Sequence, residues 1–142
     1  MLSLGVSPLF LYNQVLCAAE SLQTVTRIIG AFPANEQEQI RTQLATTLNL
    51  VISQQLVPWS NGKGRSLAAE IMIGTPAIRA MIRESKIHQI TSSIQTGQQL
   101  GMRTMNMSLA ELVDQKAIDT ERALEWSMDK EDLRRILRTT FF

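Results

Sequence analysis

Four groups of residues in this 142-residue chain have the types and spacing to do chemistry. NGKGRS, residues 61 to 66, looks like a phosphate loop, but such a loop needs a glycine five residues before its Gly-Lys pair and a Ser or Thr after it. Val57 and Gly64 occupy those two places. Asn61-Gly62, in which both residues tolerate positive φ, is instead the signal of a tight turn between two strands. His88 has Thr91, Ser92 and Ser93 near it but no carboxylate in reach along the sequence to orient it as a base. It reads as a structural or solvated helical histidine, or as a hydrogen-bonding group at an interface. Asp119, Glu121, Glu125, Asp129, Glu131 and Asp132 could be gathered around a divalent metal, yet they fall at helix starts, where carboxylates complement the macrodipole. Arg79, Arg83 and Lys86 lie at i, i+4 and i+7. On one continuing helix they share a face displaced from an apolar stripe of Ala77, Ile78, Met81 and Ile82. That face is either solvated or offered to an acidic partner surface or to phosphates. No residue is assigned a catalytic, cofactor-binding or metal-ligating role.

The elements that must position these groups are helical on either side of a short sheet. Val25, Ile28 and Ile29 have helical spacing, and FPANEQ at 32 to 37 breaks that helix and starts another, with Asn35 as its cap. Ile40, Leu44, Leu48, Val51 and Ile52 predict a second helix with a buried face about four turns long. QQLVPW (54–59) and SLAAEIMI (66–73) then form a hairpin, with Pro58 placing its strand at an edge or a bulge. Thr75 caps the next helix, with Pro76 at its first position. Four more short helices follow: Lys86 to Gln95, one around Met105 to Val113, one from Asp119 or Thr120, and one from Asp129. The predicted class is α+β, mostly α: two helices, a β-hairpin and a bundle of about five short helices. Residues 1–20 stand apart from the body at 21–142.

Composition narrows the function classes. A net charge of +1 and seven aromatic residues give no bulk argument for nucleic acid. One cysteine, Cys17, and one histidine exclude an intrachain disulfide and a His/Cys metal cluster. The first nineteen residues are uncharged but lack a basic n-region, and Gly5, Pro8, Asn13 and Gln14 interrupt them. A strand or helix start packed on the rest of the protein is expected there, with no membrane span.

Residues 70 to 113, EIMIGTPAIRAMIRESKIHQITSSIQTGQQLGMRTMNMSLAELV, resemble the C-terminal half of the twitching-motility pilus-retraction ATPases, PilT-like members of the type II/IV secretion ATPase superfamily. The likeness extends upstream through 24–58 and downstream through 123–137. Its most specific element is the retraction signature AIRNLIRE, present here as Ala77, Ile78, Arg79, Ala80, Met81, Ile82, Arg83 and Glu84, identical at six of eight positions. The resemblance implies a subunit of a bacterial, cytoplasmic, hexameric motor at the inner-membrane face of a pilus machine. Such a motor hydrolyses ATP with magnesium and drives pilus disassembly through an inner-membrane platform protein. It also implies that Ala77, Ile78, Arg79, Ile82, Arg83 and Glu84 serve retraction or partner contact, with Lys86 and His88 as candidate interface residues beside them.

Relatives carry an N-terminal PAS-like domain and a RecA-like core with Walker A, an Asp box, Walker B and a His box before the segment that aligns. None of these motifs occurs in these 142 residues, and LCAAESLQ stands where a His-Thr pair is expected. Without a lysine-bearing phosphate cradle or a magnesium-organising carboxylate, the chain alone is expected to hold no ATP and not to hydrolyse it. Two functions remain: the truncated or split C-terminal remnant of a RecA-like motor domain, or a stand-alone helical module that binds intact motor subunits or the platform protein.

Overall fold

A computed structural model of the chain describes residues 21 to 141. The expectation for residues 1–20 lies outside the described residues. Two helices come first, α1 (Ser21–Gly30) and α2 (Gln37–Thr47), followed by strands β1 (Leu50–Pro58) and β2 (Arg65–Ile73). Five α-helices follow: α3 (Pro76–Arg83), α4 (Ile90–Thr96), α5 (Met105–Asp114), α6 (Thr120–Trp126) and α7 (Lys130–Phe141). Single 3-10 turns at Ile87–Gln89 and Gln98–Leu100 lead into α4 and out of it. The expected class and order are both present.

The second helix is shorter than its apolar spacing predicts. It stops at Thr47, Leu48 turns extended with ψ 114°, and Val51 and Ile52 lie in β1. Those two β-branched residues lose side-chain freedom in a helix and pack well on a pleated surface, here opposite Met72 and Ile71. Asn35 does not cap α2 either. Glu36 holds that position without a side-chain cap, and Gln37 turns back to donate to the Phe32 carbonyl at 3.1 Å.

The hairpin pairs without a break from Leu50↔Ile73 to Pro58↔Arg65, so Pro58 sits at an edge and no bulge is needed. The turn falls where expected but is longer than a two-residue one, running from residue 59 to 64, and only Gly62 of the Asn61-Gly62 pair takes positive φ (+70°); the Trp59 ring folds over Gly64, where a Cβ would lie 2.5 Å from it. Trp59 Nε1 donates to Ser66 Oγ at 2.7 Å. NGKGRS is therefore a packed turn.

The inner face of the hairpin spans two cores. Met72 belongs to the first, with Val25 and Ile29 of α1, Ala45 of α2, Ile78 and Ile82 of α3, and Ile90 and Ile94 of α4. Val57 and Ala68 belong to the second, with Met105 and Leu109 of α5, Ala123 of α6 and Leu133 of α7. Fully burying each of the larger aliphatic side chains is worth about 1.5–3 kcal/mol, so these cores, and not the propensity of seven- to twelve-residue helices, hold the short helices in place. Glu70 on the same face is buried, and its two carboxylate oxygens accept from the backbone N–H groups of Ser21 (2.6 Å) and Met105 (3.2 Å). Met105 is the first residue of α5, whose N–H no helical carbonyl can satisfy, and Ser21 is the first described residue of α1. One carboxylate thus joins α1 and the start of α5 to the sheet.

Candidate functional site

The signature stretch begins where β2 ends. Thr75 adopts extended backbone and its hydroxyl accepts from the Ile78 N–H at 3.3 Å, with Pro76 following at a position that needs no donor. Ile78 and Ile82 are fully buried and Met81 half-buried. Ala77, expected in the apolar stripe, is exposed.

Arg79 is drawn into the fold. Its Nε donates to the Gly74 carbonyl at 2.7 Å, Nη1 to the Thr46 and Ala45 carbonyls at 2.7 and 3.4 Å, and Nη2 to Asn49 Oδ1 at 2.9 Å. The guanidinium fork thereby takes up carbonyls that the last turn of α2 leaves without partners and sets its positive charge at the negative end of that helix. It also clamps the β2–α3 junction. Because the fork has fixed directions, the same side chain fixes the position of α3 against α2.

The other end of α3 is built differently. Ser85 adopts φ 60°, its N–H bonds the Ile82 carbonyl at 3.2 Å, and the Lys86 N–H bonds that of Met81 at 2.8 Å. This reverse turn usually uses glycine, and it ends the helix after Arg83. Lys86 consequently leaves the face shared by Arg79 and Arg83, contrary to the continuing helix that the i, i+4, i+7 spacing assumes. It pairs with Glu84 at 2.8 Å across exposed surface. The hydrogen bond and charge of Lys86 hold the Glu84 carboxyl below its ordinary value, and Glu84 raises the Lys86 ammonium above its own. Arg83 is exposed and makes no hydrogen bond or ion pair among the described residues; His88, in the 3-10 turn, is likewise exposed. Arg83, Glu84, Lys86 and His88 are therefore all exposed along the stretch that closes α3 and enters the 3-10 turn, forming an exposed corner of the chain, while Arg79, Ile78 and Ile82 build its support.

The acidic residues near the C-terminus are consumed locally. Asp119 accepts from the Arg122 N–H at 2.7 Å, and this bond, with another from Ser60 in the hairpin turn, lowers its pKa. Asp129 accepts from the Asp132 N–H at 3.0 Å. Asp132 in turn takes Asn106 Nδ2 at 2.9 Å and Gln95 Nε2 at 3.2 Å, tying α7 to α5 and α4. Among the described residues no three His, Cys, Asp or Glu side chains are grouped to hold a metal, and no helix is long and apolar enough to cross a membrane. Spacing did not single out Glu70 or the structural use of Arg79. A weak signal exists for Glu70, which shares strand parity with inward-facing Ala68 and Met72; for Arg79 there is none, since its acceptors lie in a different helix.

No protein-family model matches the chain. It is 46% identical over 111 residues to a twitching motility protein of Neisseria gonorrhoeae, covering 78% of this chain and 30% of that protein. Over 110 residues it is also 46% identical to the type IV pilus retraction ATPase PilT of Pseudomonas aeruginosa, covering 78% of this chain and 32% of that one. A crystal structure of the pilus retraction motor PilT with bound ADP superposes with a TM-score of 0.71 at 42% identity, over 81% of this chain and 32% of that chain. The chain thus spans about a third of the length of the curated relatives it matches. By sequence and by fold together, it belongs with the PilT-like pilus-retraction ATPases and corresponds to a C-terminal portion of them.

Proposed function

We propose that this chain serves as the C-terminal part of a type IV pilus retraction motor, and that the corner formed by Arg83, Glu84, Lys86 and His88 is its contact with another component of the pilus machine. The observation that carries this reading is the contrast within the signature helix. Arg79 is committed to four backbone and side-chain acceptors, whereas Arg83 is exposed at the other end of the helix and makes no hydrogen bond or ion pair among the described residues, its charge acting at longer range on the Glu84 carboxyl. An exposed cation on a fixed support, with no hydrogen bond committing it to the fold, suits docking on an acidic surface. The acceptor is either a neighbouring subunit of a hexameric ring or a platform protein at the inner membrane, and the motor works on the cytoplasmic side. ATP and magnesium belong to the core that the relatives carry outside the matched stretch, and the 142 residues alone do not hydrolyse ATP.

A graft tests this. Residues 24–137 replace the matching stretch of P. aeruginosa PilT in a strain without its own copy, and twitching and ATPase activity are measured. The graft should restore both, and Arg83→Ala within it should abolish twitching while ATP hydrolysis continues. A graft that hydrolyses ATP but twitches equally well with and without Arg83 would contradict the assignment. The stand-alone reading predicts instead that the free chain binds intact PilT hexamers, which sedimentation of a mixture would reveal.

A further inference from the structure

The inner face of the hairpin changes character halfway along. Read from the α3 end, the facing pairs are Val51↔Met72, Ser53↔Glu70, Gln55↔Ala68 and Val57↔Ser66. Val51 and Met72 pack in the first core, and Val57 and Ala68 in the second. The face of a sheet that meets a core is expected to be apolar throughout. Here a polar layer parts the two cores: Ser53 and Glu70 are each 4% exposed, Gln55 is half-buried, and Ser21, drawn in by its bond to Glu70, is fully buried. The layer is also under-bonded, since Ser21 Oγ and Gln55 Oε1 are buried with no hydrogen-bond partner among the described residues. Apolar packing holds wherever surfaces meet, whereas a polar layer holds only through its directed bonds.

The helices respect the same division. Extended helix contacts run between α1 and α2, α2 and α3, α3 and α4, α5 and α6, and α5 and α7, every one of them within a single cluster. Outside the hairpin the described chain passes from one cluster to the other once, between α4 and α5, where Gly101 takes φ +87°. Two polar ties bridge the gap. Glu70 holds the N–H groups of Ser21 in α1 and Met105 in α5 at 2.6 and 3.2 Å, and Gln95 Nε2 of α4 donates to Asp132 Oδ1 of α7 at 3.2 Å. Of the two, the Glu70 tie is the buried one, and buried directed bonds are the costlier to lose.

We infer that this layer is a hinge and Glu70 its latch. The α1–α4 cluster, which carries Arg79 and Arg83, and the α5–α7 cluster are separate cooperative units, held at one angle while the carboxylate keeps both N–H groups. Release of either N–H lets the units part at the layer with each core intact. The backbone bonds of Arg103 with Ile71, at 2.9 and 3.1 Å, and the 3.0 Å bond from the Ala69 N–H to Ser108 Oγ fasten α5 to β2, so the opening parts α1 from α5 while the sheet stays whole. The setting of the signature helix against the C-terminal helices thus depends on one side chain. The latch follows from packing alone, whether or not the chain serves a motor.

Native-state amide exchange of the full chain, in urea below its unfolding midpoint, tests this. In the unaltered chain the most protected amides of α3 and of α5 should exchange through one common opening. Glu70→Gln keeps the size of the side chain but offers a single acceptor oxygen and turns an NH2 donor toward the other N–H. It should divide the amides into two groups, α1–α4 and α5–α7, whose protection differs about tenfold, with circular dichroism unchanged. Ile78→Val weakens the first core and leaves the latch alone, so it should lower both groups together. Common exchange in Glu70→Gln would overturn the hinge. So would a division already present in the unaltered chain, or one produced by Ile78→Val. Collapse of both cores in Glu70→Gln would do the same, because a hinge opens without unfolding either unit.

Discussion

Arg79 and Arg83 stand one helical turn apart in the same motif, and the fold treats them oppositely. Around Arg79 the chain has gathered acceptors from three places: the end of α2, the α2–β1 link and the β2–α3 junction. Around Arg83 it has gathered none, and a left-handed residue, Ser85, turns the backbone away two residues after it. The two ends of α3 thus differ in construction, one end seated on the fold and the other exposed. Residue type and spacing are blind to this difference, because what separates the two arginines is a helix C-terminus more than thirty residues upstream.

The comparison can be broken most severely from beneath. Ile82→Asp places an unpaired carboxylate in the first core, under both ends of the helix, and should cost more than about 3 kcal/mol. Far-UV circular dichroism and urea unfolding should show loss of the cooperative transition. Glu70→Ala comes next. It orphans the buried N–H groups of Ser21 and Met105, at about 1–3 kcal/mol each, and tests whether a defect away from α3 spares the seat of that helix. Amide exchange should then accelerate at Ser21 and at the start of α5 before it does so in α3.

Arg79→Ala addresses the seat itself. Losing charge-assisted bonds from a half-buried guanidinium should cost about 2 kcal/mol, and Arg79→Lys should recover less than half of that, since an ammonium cannot span the same acceptors. The smallest effect is expected far from the signature. The Asp119 carboxyl has a lowered pKa in the folded chain, so its contribution is present above the ordinary carboxylate value and is lost as pH falls through the folded one. Asp119→Asn, which can still cap α6, should flatten the acid limb of a stability-versus-pH profile below about pH 4 and leave stability at pH 7 little changed.

The element order was legible because strong local signals marked it: Thr75-Pro76 at the start of α3, Asn61-Gly62 in the hairpin turn, and Asp119 at the start of α6. The end of α2 was misplaced because Leu48, Val51 and Ile52 satisfy a helical spacing, while strand pairing with a segment twenty residues away decides their state. The corner of Arg83 was legible from its motif, yet Lys86 was not, since the turn after Arg83 uses Ser85 in a conformation that sequence rules reserve for glycine. Glu70 and the clamp of Arg79 depend wholly on tertiary partners, which no local pattern encodes.

The central claim is that Arg79 seats α3 and Arg83 does not. Urea denaturation of the two single alanine variants, measured side by side on the full chain, tests it most directly. The account predicts a loss of about 2 kcal/mol for Arg79→Ala and a change within about 0.5 kcal/mol for Arg83→Ala. Equal losses, or a larger one at Arg83, would contradict it.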